Sequence, residues 1–155
     1  MKLSTRARYG LRALVDIGLY SENETVPIQS IADRQNISVG YLEQLVAMLK
    51  KAGLVESTRG AYGGYRLARP ADEISVGEVL RILEGSLDAV SCPGMEAEQS
   101  CEGSGTCVTK YVWRRINDSI CEAVDHLSLR ELIDESREAN QQAGSTCPKG
   151  TPCNS

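Results

Sequence analysis

Residues 38–67 read SVGYLEQLVAMLKKAGLVESTRGAYGGYRL, and this stretch decides the fold. Its first half places apolar residues at helical spacing, with Ser38 as the capping residue before the first turn. Its second half has two short strand-like runs around the glycine-rich turn at residues 58–64, which predicts a β-hairpin. A helix followed directly by a hairpin is the arrangement of a recognition helix and its wing.

Helical patterns lie on both sides of this stretch. Apolar residues recur at helical spacing from Met1 to Tyr20, and Pro27 opens a second, short helix over IQSIADRQ. After the hairpin, Ser75 caps a helix that ends at Gly85. The predicted fold class is therefore mainly α with a small β wing, and residues 1–85 are predicted to form a winged helix-turn-helix domain that binds DNA.

The candidate DNA-binding residues follow from the docking geometry of a helix-turn-helix. Its second helix enters the major groove with its N-terminal residues. Those residues are here Ser38, Tyr41, Glu43 and Gln44. Lys50 and Lys51 at the end of the same helix are further candidates, and Arg59 lies where an arginine can enter a narrow minor groove. The alternatives are a helix-turn-helix that never contacts DNA and a hairpin with a purely structural role.

Charge supports a division of the chain into two parts. The net charge of −4 combines ten Lys/Arg against six Asp/Glu in residues 1–70 with seven against fifteen in residues 71–155. A basic first part joined to an acidic second part is typical of a nucleic-acid module fused to another unit. No apolar run reaches membrane length, so a cytoplasmic protein is expected. The single histidine, His126, excludes the usual nucleophile–histidine sets of hydrolases, so the protein is not expected to be an enzyme.

The loop at residues 86–107 carries three cysteines in a polar, glycine-containing segment: Cys92, Cys101 and Cys107. In the cytoplasm such thiols are more often ligands or redox groups than disulfide partners. They predict a soft-metal or iron–sulfur site, with a structural zinc site and simple reactive thiols as the alternatives. Cys121 is predicted to pack in the core. Cys147 and Cys153 lie in a tail, residues 143–155, whose composition predicts disorder.

A long helix is predicted over residues 106–127, where apolar residues recur every three or four positions. A helix of about 22 residues is about 33 Å long, more than a small winged-helix core can cover. Its apolar stripe therefore predicts a homodimer that places two recognition helices on successive half-sites of DNA. A short helix with few apolar residues is predicted over residues 128–142.

Several motifs resemble those of the Rrf2 superfamily of winged-helix transcriptional regulators, and in particular its IscR-like branch. The resemblance runs from Met1 to about Leu132. It is carried by KLSTRARYGLRAL, ISVGYLEQLVAMLKKAGLV, STRGAYGGYRLARP and ISVGEVLRILEG, and by the cysteine loop followed by YVWRRIND. It implies a homodimeric transcription factor that binds double-stranded DNA. Bases would be contacted by Ser38, Tyr41, Glu43 and Gln44, and the minor groove by Arg59.

The same resemblance implies that Cys92, Cys101 and Cys107 hold a 2Fe–2S cluster, with a 4Fe–4S cluster as the alternative. It further implies a cluster-sensing repressor of cluster-assembly genes, in which Glu43 governs the choice between DNA motifs. The sequence departs from the family pattern at Lys110, where the motif offers a histidine ligand. The fourth ligand is then Glu102, another carboxylate, a tail cysteine or an exogenous thiol. Arg8 and Arg12 occupy positions from which some relatives supply ligands.

Two other functions remain as alternatives. One is a regulator of the same superfamily that responds to nitric oxide or to redox state. The other is an interaction module without a cluster that binds a metabolic enzyme. The expected partners under the main hypothesis are double-stranded DNA and a second copy of the chain, with no membrane and no small-molecule substrate.

Overall fold

The computed structural model of the protein describes residues 3–90, 92 and 106–145. Within these residues the secondary structure consists of helices and one small sheet. In chain order the elements are α1 (Thr5–Tyr20), α2 (Ile28–Gln35), α3 (Val39–Lys51), β1 (Val55–Thr58), β2 (Gly64–Leu67), a 3₁₀ turn (Ala71–Glu73), α4 (Val76–Glu84), α5 (Thr109–Asp125) and α6 (Leu129–Ser145). No described helix combines the length and apolar character needed to cross a bilayer.

The turn between α2 and α3 has the geometry of a helix-turn-helix. Asn36 ends α2 in the left-handed region, at φ 54°, a conformation that asparagine tolerates better than most side chains. Ser38 then begins α3, since its Oγ accepts a hydrogen bond from the N–H of Tyr41 at 3.3 Å. The predicted start of the recognition helix is therefore confirmed by its cap.

The hairpin is fastened to the segment that precedes α2. Its two strands pair antiparallel, with Val55 opposite Leu67. Val26 adds a third row to this sheet, because its N–H and C=O bond to the C=O and N–H of Tyr65 at 2.8 and 2.9 Å. A Cβ at Gly64 would lie 2.5 Å from the backbone of Val26, so only glycine permits this approach. Backbone hydrogen bonds to Val26 therefore attach the wing to the segment before α2, in addition to the covalent connections at both ends of the hairpin.

The core is built mainly from leucine and isoleucine of α1, α3, α4 and α6, including the fully buried Leu14, Ile17, Leu42, Leu45, Leu49, Leu83, Leu129 and Ile133. Two glycines of α1 allow close packing. Leu83 lies where a Cβ of Gly10 would be, at 2.5 Å, and Ile133 lies 2.4 Å from the corresponding position at Gly18. These contacts place α6 against α1, so the last helix belongs to the same core as α1, α3 and α4.

The two C-terminal helices differ in length from the predictions. α5 has 17 residues rather than about 22, and α6 continues to residue 145 rather than ending near residue 142. Their junction is tied to the start of α4, because the N–H of Val76 donates to Leu127 and that of Leu129 donates to Ile74, both at 2.8 Å. The predicted disordered tail from residue 143 therefore begins within α6, and its remainder lies outside the described residues.

Candidate nucleic-acid interface and cysteine site

The recognition helix α3 has one buried and one exposed side. Leu42, Leu45 and Leu49 point into the core. Ser38, Glu43 and Gln44 are exposed, and Tyr41 is half-buried. The four residues predicted to face bases therefore lie on the first turns of a helix whose other side is fixed by apolar packing. Among the described residues, no neighbour buries the Glu43 and Gln44 side chains.

Tyr41 is held by an aromatic contact from α1. Its ring meets the ring of Tyr9 edge to face, with centroids 6.3 Å apart and planes at 84°, the geometry that aromatic quadrupoles favour. The guanidinium of Arg12 lies 5.3 Å from the centre of the Tyr9 ring, and Arg12 Nε donates to Gln35 Oε1 at 3.0 Å. These contacts position the start of the recognition helix relative to α1 and α2.

A buried carboxylate of α1 binds the last two residues of α2. Asp16 is only 3% exposed, and its oxygens accept hydrogen bonds from Arg34 at 2.6 to 3.2 Å and from Gln35 at 2.8 Å. The hydrogen bond to Asp16 raises the pKa of the Arg34 guanidinium above its usual value. A charge buried in this way is stabilised only by such donors, so Asp16 fixes α2 against α1. Sequence periodicity did not indicate this role for Asp16.

The wing presents Arg59 at its tip. Arg59 is exposed and precedes a tight turn in which Gly60 has φ 115° and the Gly63 N–H donates to the Gly60 carbonyl at 3.0 Å. Lys51 is exposed as well, but Lys50 Nζ donates to Ser57 Oγ of β1 at 2.5 Å. Lys50 therefore joins the recognition helix to the wing, a contact that its position in the sequence did not predict.

Two of the three loop cysteines lie within the described residues. Cys92 and Cys107 are both partly exposed and free of disulfides, whereas Cys101 lies outside the described residues. The Cys107 sulfur is 3.1 Å from Thr109 Oγ1. Hydrogen bonds from this hydroxyl and from the backbone N–H of Lys110 lower the pKa of the Cys107 thiol. This shift makes the thiolate, the form that binds soft metals, easier to form at Cys107 than at an ordinary cysteine.

Most of the other candidate ligands lie outside the described residues. In residues 3–90, 92 and 106–145 no three His, Cys, Asp or Glu side chains come together as a metal site. Lys110 places its ammonium 5.4 Å from the centre of the Tyr111 ring. Glu102, Cys147 and Cys153 lie outside the described residues. A metal site that includes Cys101 would therefore involve the part of the loop that lies outside the described residues.

Cys121 corrects one prediction. It was expected in the core, but it is partly exposed and is a hydrogen-bonding neighbour of Arg81. Arg81 also makes a bidentate ion pair with Asp125, at 2.6 and 2.9 Å. Because Cys121 follows Ile120 by one residue, the helical turn carries it from the apolar stripe to the polar edge between α4 and α5.

The apolar stripe of α5 is divided into two parts. Ile120, Val124 and Leu127 pack against the core. The remaining residues are exposed to extents of 38 to 74%: Val108, Tyr111, Val112 and Ile116. An open groove of about 540 Å³ runs along this side of the helix, between Val112 and Ala123. The N-terminal half of α5 therefore carries an apolar surface that the described part of the chain leaves uncovered.

The inner side of α5 holds the beginning of the cysteine loop. Asn117 is 6% exposed, and its Oδ1 accepts a hydrogen bond from the N–H of Ala89 at 2.9 Å. Ala89 is three residues before Cys92, and Thr109 begins α5 two residues after Cys107. Both ends of the loop are therefore attached to the same helix.

Comparison with known proteins finds relatives over most of the chain. The profile of the Rrf2 family, described as iron-dependent transcriptional regulators, matches residues 3–135. The HTH-type transcriptional regulator IscR of Pectobacterium atrosepticum is 41% identical over 140 residues, which are 90% of this chain and 84% of that protein. The protein of the same name from Aliivibrio salmonicida is 44% identical over 133 residues, 86% of this chain and 77% of that protein.

Solved structures give the same result for the fold. The structure of T. potens IscR is 39% identical and superposes with a TM-score of 0.72, covering 97% of this chain and 94% of that one. The structure of CymR, described as the global cysteine regulator of B. subtilis, is 36% identical with a TM-score of 0.73, covering 87% and 98%. The predicted fold class, mainly α with a small β wing, is confirmed.

Proposed function

Because the chain belongs to the Rrf2 family of transcriptional regulators, we propose that it is a homodimeric repressor whose binding to double-stranded DNA depends on an iron–sulfur cluster. Its relatives are named as regulators, so the chain is a transcriptional regulator of the IscR type, and the prediction that it is not an enzyme is confirmed. Its proposed targets are the genes of cluster assembly, and its proposed place of action is the cytoplasm.

One observation carries the proposal of a sensor, namely the position of α5. This helix begins two residues after Cys107, presents an uncovered apolar surface in its N-terminal half, and ends in the ion pair between Asp125 and Arg81 of α4. A displacement of Cys107 would therefore act on the helix that meets both the second subunit and the core of the DNA-binding domain. Such a helix can couple ligand binding to DNA affinity.

The proposed DNA contacts use the exposed side of α3 and the wing. Ser38, Tyr41, Glu43 and Gln44 would contact base edges in the major groove, where each base pair presents a distinct pattern of donors and acceptors. Arg59 would enter the minor groove, while Lys50 and Lys51 would approach phosphates. Lys50 would do so with its two remaining ammonium protons, because the third is donated to Ser57.

The proposed ligands of the cluster are Cys92, Cys101 and Cys107. The lowered pKa and partial exposure of the Cys107 thiol fit this role, because thiolates are the usual ligands of iron–sulfur clusters. When bound, such a cluster supplies a redox-sensitive group whose oxidation or loss changes charge and geometry at its cysteines. A 2Fe–2S cluster is proposed, with 4Fe–4S as the alternative that iron and sulfide analysis would identify.

The proposed dimer uses the uncovered surface of α5. At 17 residues the helix is about 26 Å long, and its exposed apolar residues lie within its first eight residues or just before them. A second copy of the same helix can cover such a surface symmetrically. The resulting two recognition helices would contact half-sites about one turn of DNA apart.

Substitutions at Arg59 and Glu43 test the DNA contacts. We expect Arg59→Ala to weaken binding to all duplexes and to reduce the salt slope of the affinity by about one, because one cation is lost from the interface. Glu43→Ala should instead change the preferred motif, by about 1–3 kcal/mol for each base pair affected. Fluorescence anisotropy measures the affinities, and sequencing of duplexes selected from a random library measures the motif.

The control for both variants is Glu138→Ala, which removes an exposed carboxylate from α6 and should change neither quantity. An unchanged salt slope in Arg59→Ala would remove Arg59 from the DNA interface. An unchanged motif in Glu43→Ala would contradict the proposed role of this side chain of the recognition helix in choosing the DNA sequence.

A second candidate function is an interaction module without a cluster that binds a metabolic enzyme. A third candidate is a regulator that responds to nitric oxide or redox state. Iron and sulfide analysis after anaerobic purification separates the cluster-free candidate from the others. Visible absorption before and after addition of nitric oxide separates the two candidates that hold a cluster.

A further inference from the structure

Tyr62 is the most exposed large apolar side chain in the described residues. It lies in the turn of the wing, three residues after Arg59, and is 96% exposed. Tyr20, the other exposed tyrosine of the domain, has its ring covered by the guanidinium of Arg34 at 4.1 Å. In the described part of the chain the Tyr62 ring has no such aromatic or cationic neighbour. Unlike the exposed residues of α5, it lies away from the proposed dimer surface and beside the proposed DNA contact.

The backbone that carries Tyr62 is held firmly. The Thr25 hydroxyl donates to the Tyr62 carbonyl at 2.9 Å, and the Gly63 N–H closes the turn onto Gly60 at 3.0 Å. The pairing of Val26 with Tyr65 fixes the following strand. A tyrosine has only two side-chain torsions to restrict on binding, so an aromatic ring on a fixed backbone gains contact area at low cost in entropy.

Two basic side chains in and beside the wing already have partners within the protein. Arg66 of β2 pairs with Glu56 of β1 across the sheet, and Lys50 is joined to Ser57. Arg59 is then the cation that the wing tip offers to a groove, with the phenol of Tyr62 beside it. Phosphate and sugar receive a large share of protein contacts to DNA, and tyrosine is among the side chains that supply them.

We propose that Tyr62 is a DNA-contacting residue that packs its ring against the deoxyribose backbone flanking the minor groove entered by Arg59. This inference rests on the proposed DNA-binding function and adds to it a contact that is independent of base sequence. Arg59 contributes charge at the wing tip and Tyr62 contributes apolar surface. The two contributions have different dependences on salt, which makes them separable.

The test compares Tyr62→Ala and Tyr62→Phe with the unaltered protein, in the full-length chain. Two labelled duplexes are used, one selected by the unaltered protein from a random library and one of the same composition in scrambled order. We expect Tyr62→Ala to weaken binding to both duplexes by about fivefold to tenfold, the effect of uncovering one face of an aromatic ring. Tyr62→Phe, which keeps the ring, should restore most of this affinity.

The salt dependence and the thermal stability complete the test. The salt slope should be unchanged in Tyr62→Ala, because no charge is removed, whereas Arg59→Ala lowers it by about one. The Tm should be unchanged, because the side chain is almost fully exposed. Glu138→Ala is the control, an exposed residue of α6 whose loss should not alter affinity for either duplex.

Each contrary outcome has its own meaning. Equal affinity of Tyr62→Ala and the unaltered protein for both duplexes would overturn the inference, and so would a loss that Tyr62→Phe does not restore. A loss confined to the selected duplex would overturn it in favour of base reading by Tyr62. If the unaltered protein itself shows no preference for any duplex, the proposed function fails before this inference is reached.

Discussion

Ile116→Asp is expected to convert the protein from a dimer into a monomer and to lower its affinity for a duplex with two half-sites by about a hundredfold or more. The substitution places a carboxylate within the uncovered apolar surface of α5, where a second subunit would have to bury it without a partner. Loss of the second recognition helix removes the effective concentration that linkage provides, a factor of about 10² to 10⁴.

Sedimentation analysis and fluorescence anisotropy measure the two effects. Asp118→Ala is the matched control, since Asp118 is exposed on the same helix but lies on the side turned away from Ile116. It should remain a dimer with unchanged affinity. A monomeric Ile116→Asp variant that binds the two-half-site duplex as tightly as the unaltered protein would contradict the proposed use of α5.

Cys107→Ala is expected to abolish stoichiometric binding of iron and sulfide. Two of the proposed cysteine ligands would remain, too few to hold a cluster when the fourth ligand is not a thiolate of this loop. The variant should keep its fold, because Cys107 is partly exposed and precedes the first turn of α5. Anaerobic reconstitution followed by iron and sulfide analysis and visible absorption measures the loss, and Cys92→Ala should behave in the same way.

Cys121→Ala provides the control for this experiment. Cys121 is a cysteine of similar exposure, but it lies on the far part of α5 beside Arg81 and has no proposed role as a ligand. Its substitution should leave the iron content unchanged. Full iron content in Cys107→Ala, or its loss in Cys121→Ala, would remove Cys107 from the ligand set.

Local sequence signals predicted the recognition helix and wing because their causes are local. The Ser38 cap depends on a hydroxyl and an N–H three residues apart. The turn of the wing depends on glycine at position 60, where φ is 115°. Both are contacts within a few residues, which spacing and residue type describe well.

The contacts that position this interface could not be predicted in the same way. Asp16 binds Arg34 and Gln35 of another helix, and Tyr9 meets Tyr41 from thirty-two positions away in the chain. Such pairs depend on how the helices pack, which a single sequence does not specify. The prediction for Cys121 was wrong for a related reason. Adjacent residues of a helix point in different directions, so one step along the chain leads from the apolar stripe to the polar edge.

The apolar pattern of α5 shows a further limit of periodicity. Seven apolar residues recur as one stripe in the sequence, from Val108 to Leu127. In the folded chain the last three pack against the protein's own core and the first four are uncovered. Periodicity indicates that a helix has an apolar side, but the ion pair of Asp125 with Arg81 and the backbone contacts of Leu127 determine which part is used within the subunit.

We propose that cluster binding at the loop changes DNA binding by α3 and the wing. It is tested most directly by measuring the affinity of one preparation, with its cluster and after anaerobic removal of the cluster, for duplexes selected by each form. We predict that the two forms differ by at least about fivefold for one of these duplexes, the smallest coupling typical of linked sites. Equal affinities and the same preferred sequence for both forms would contradict the claim.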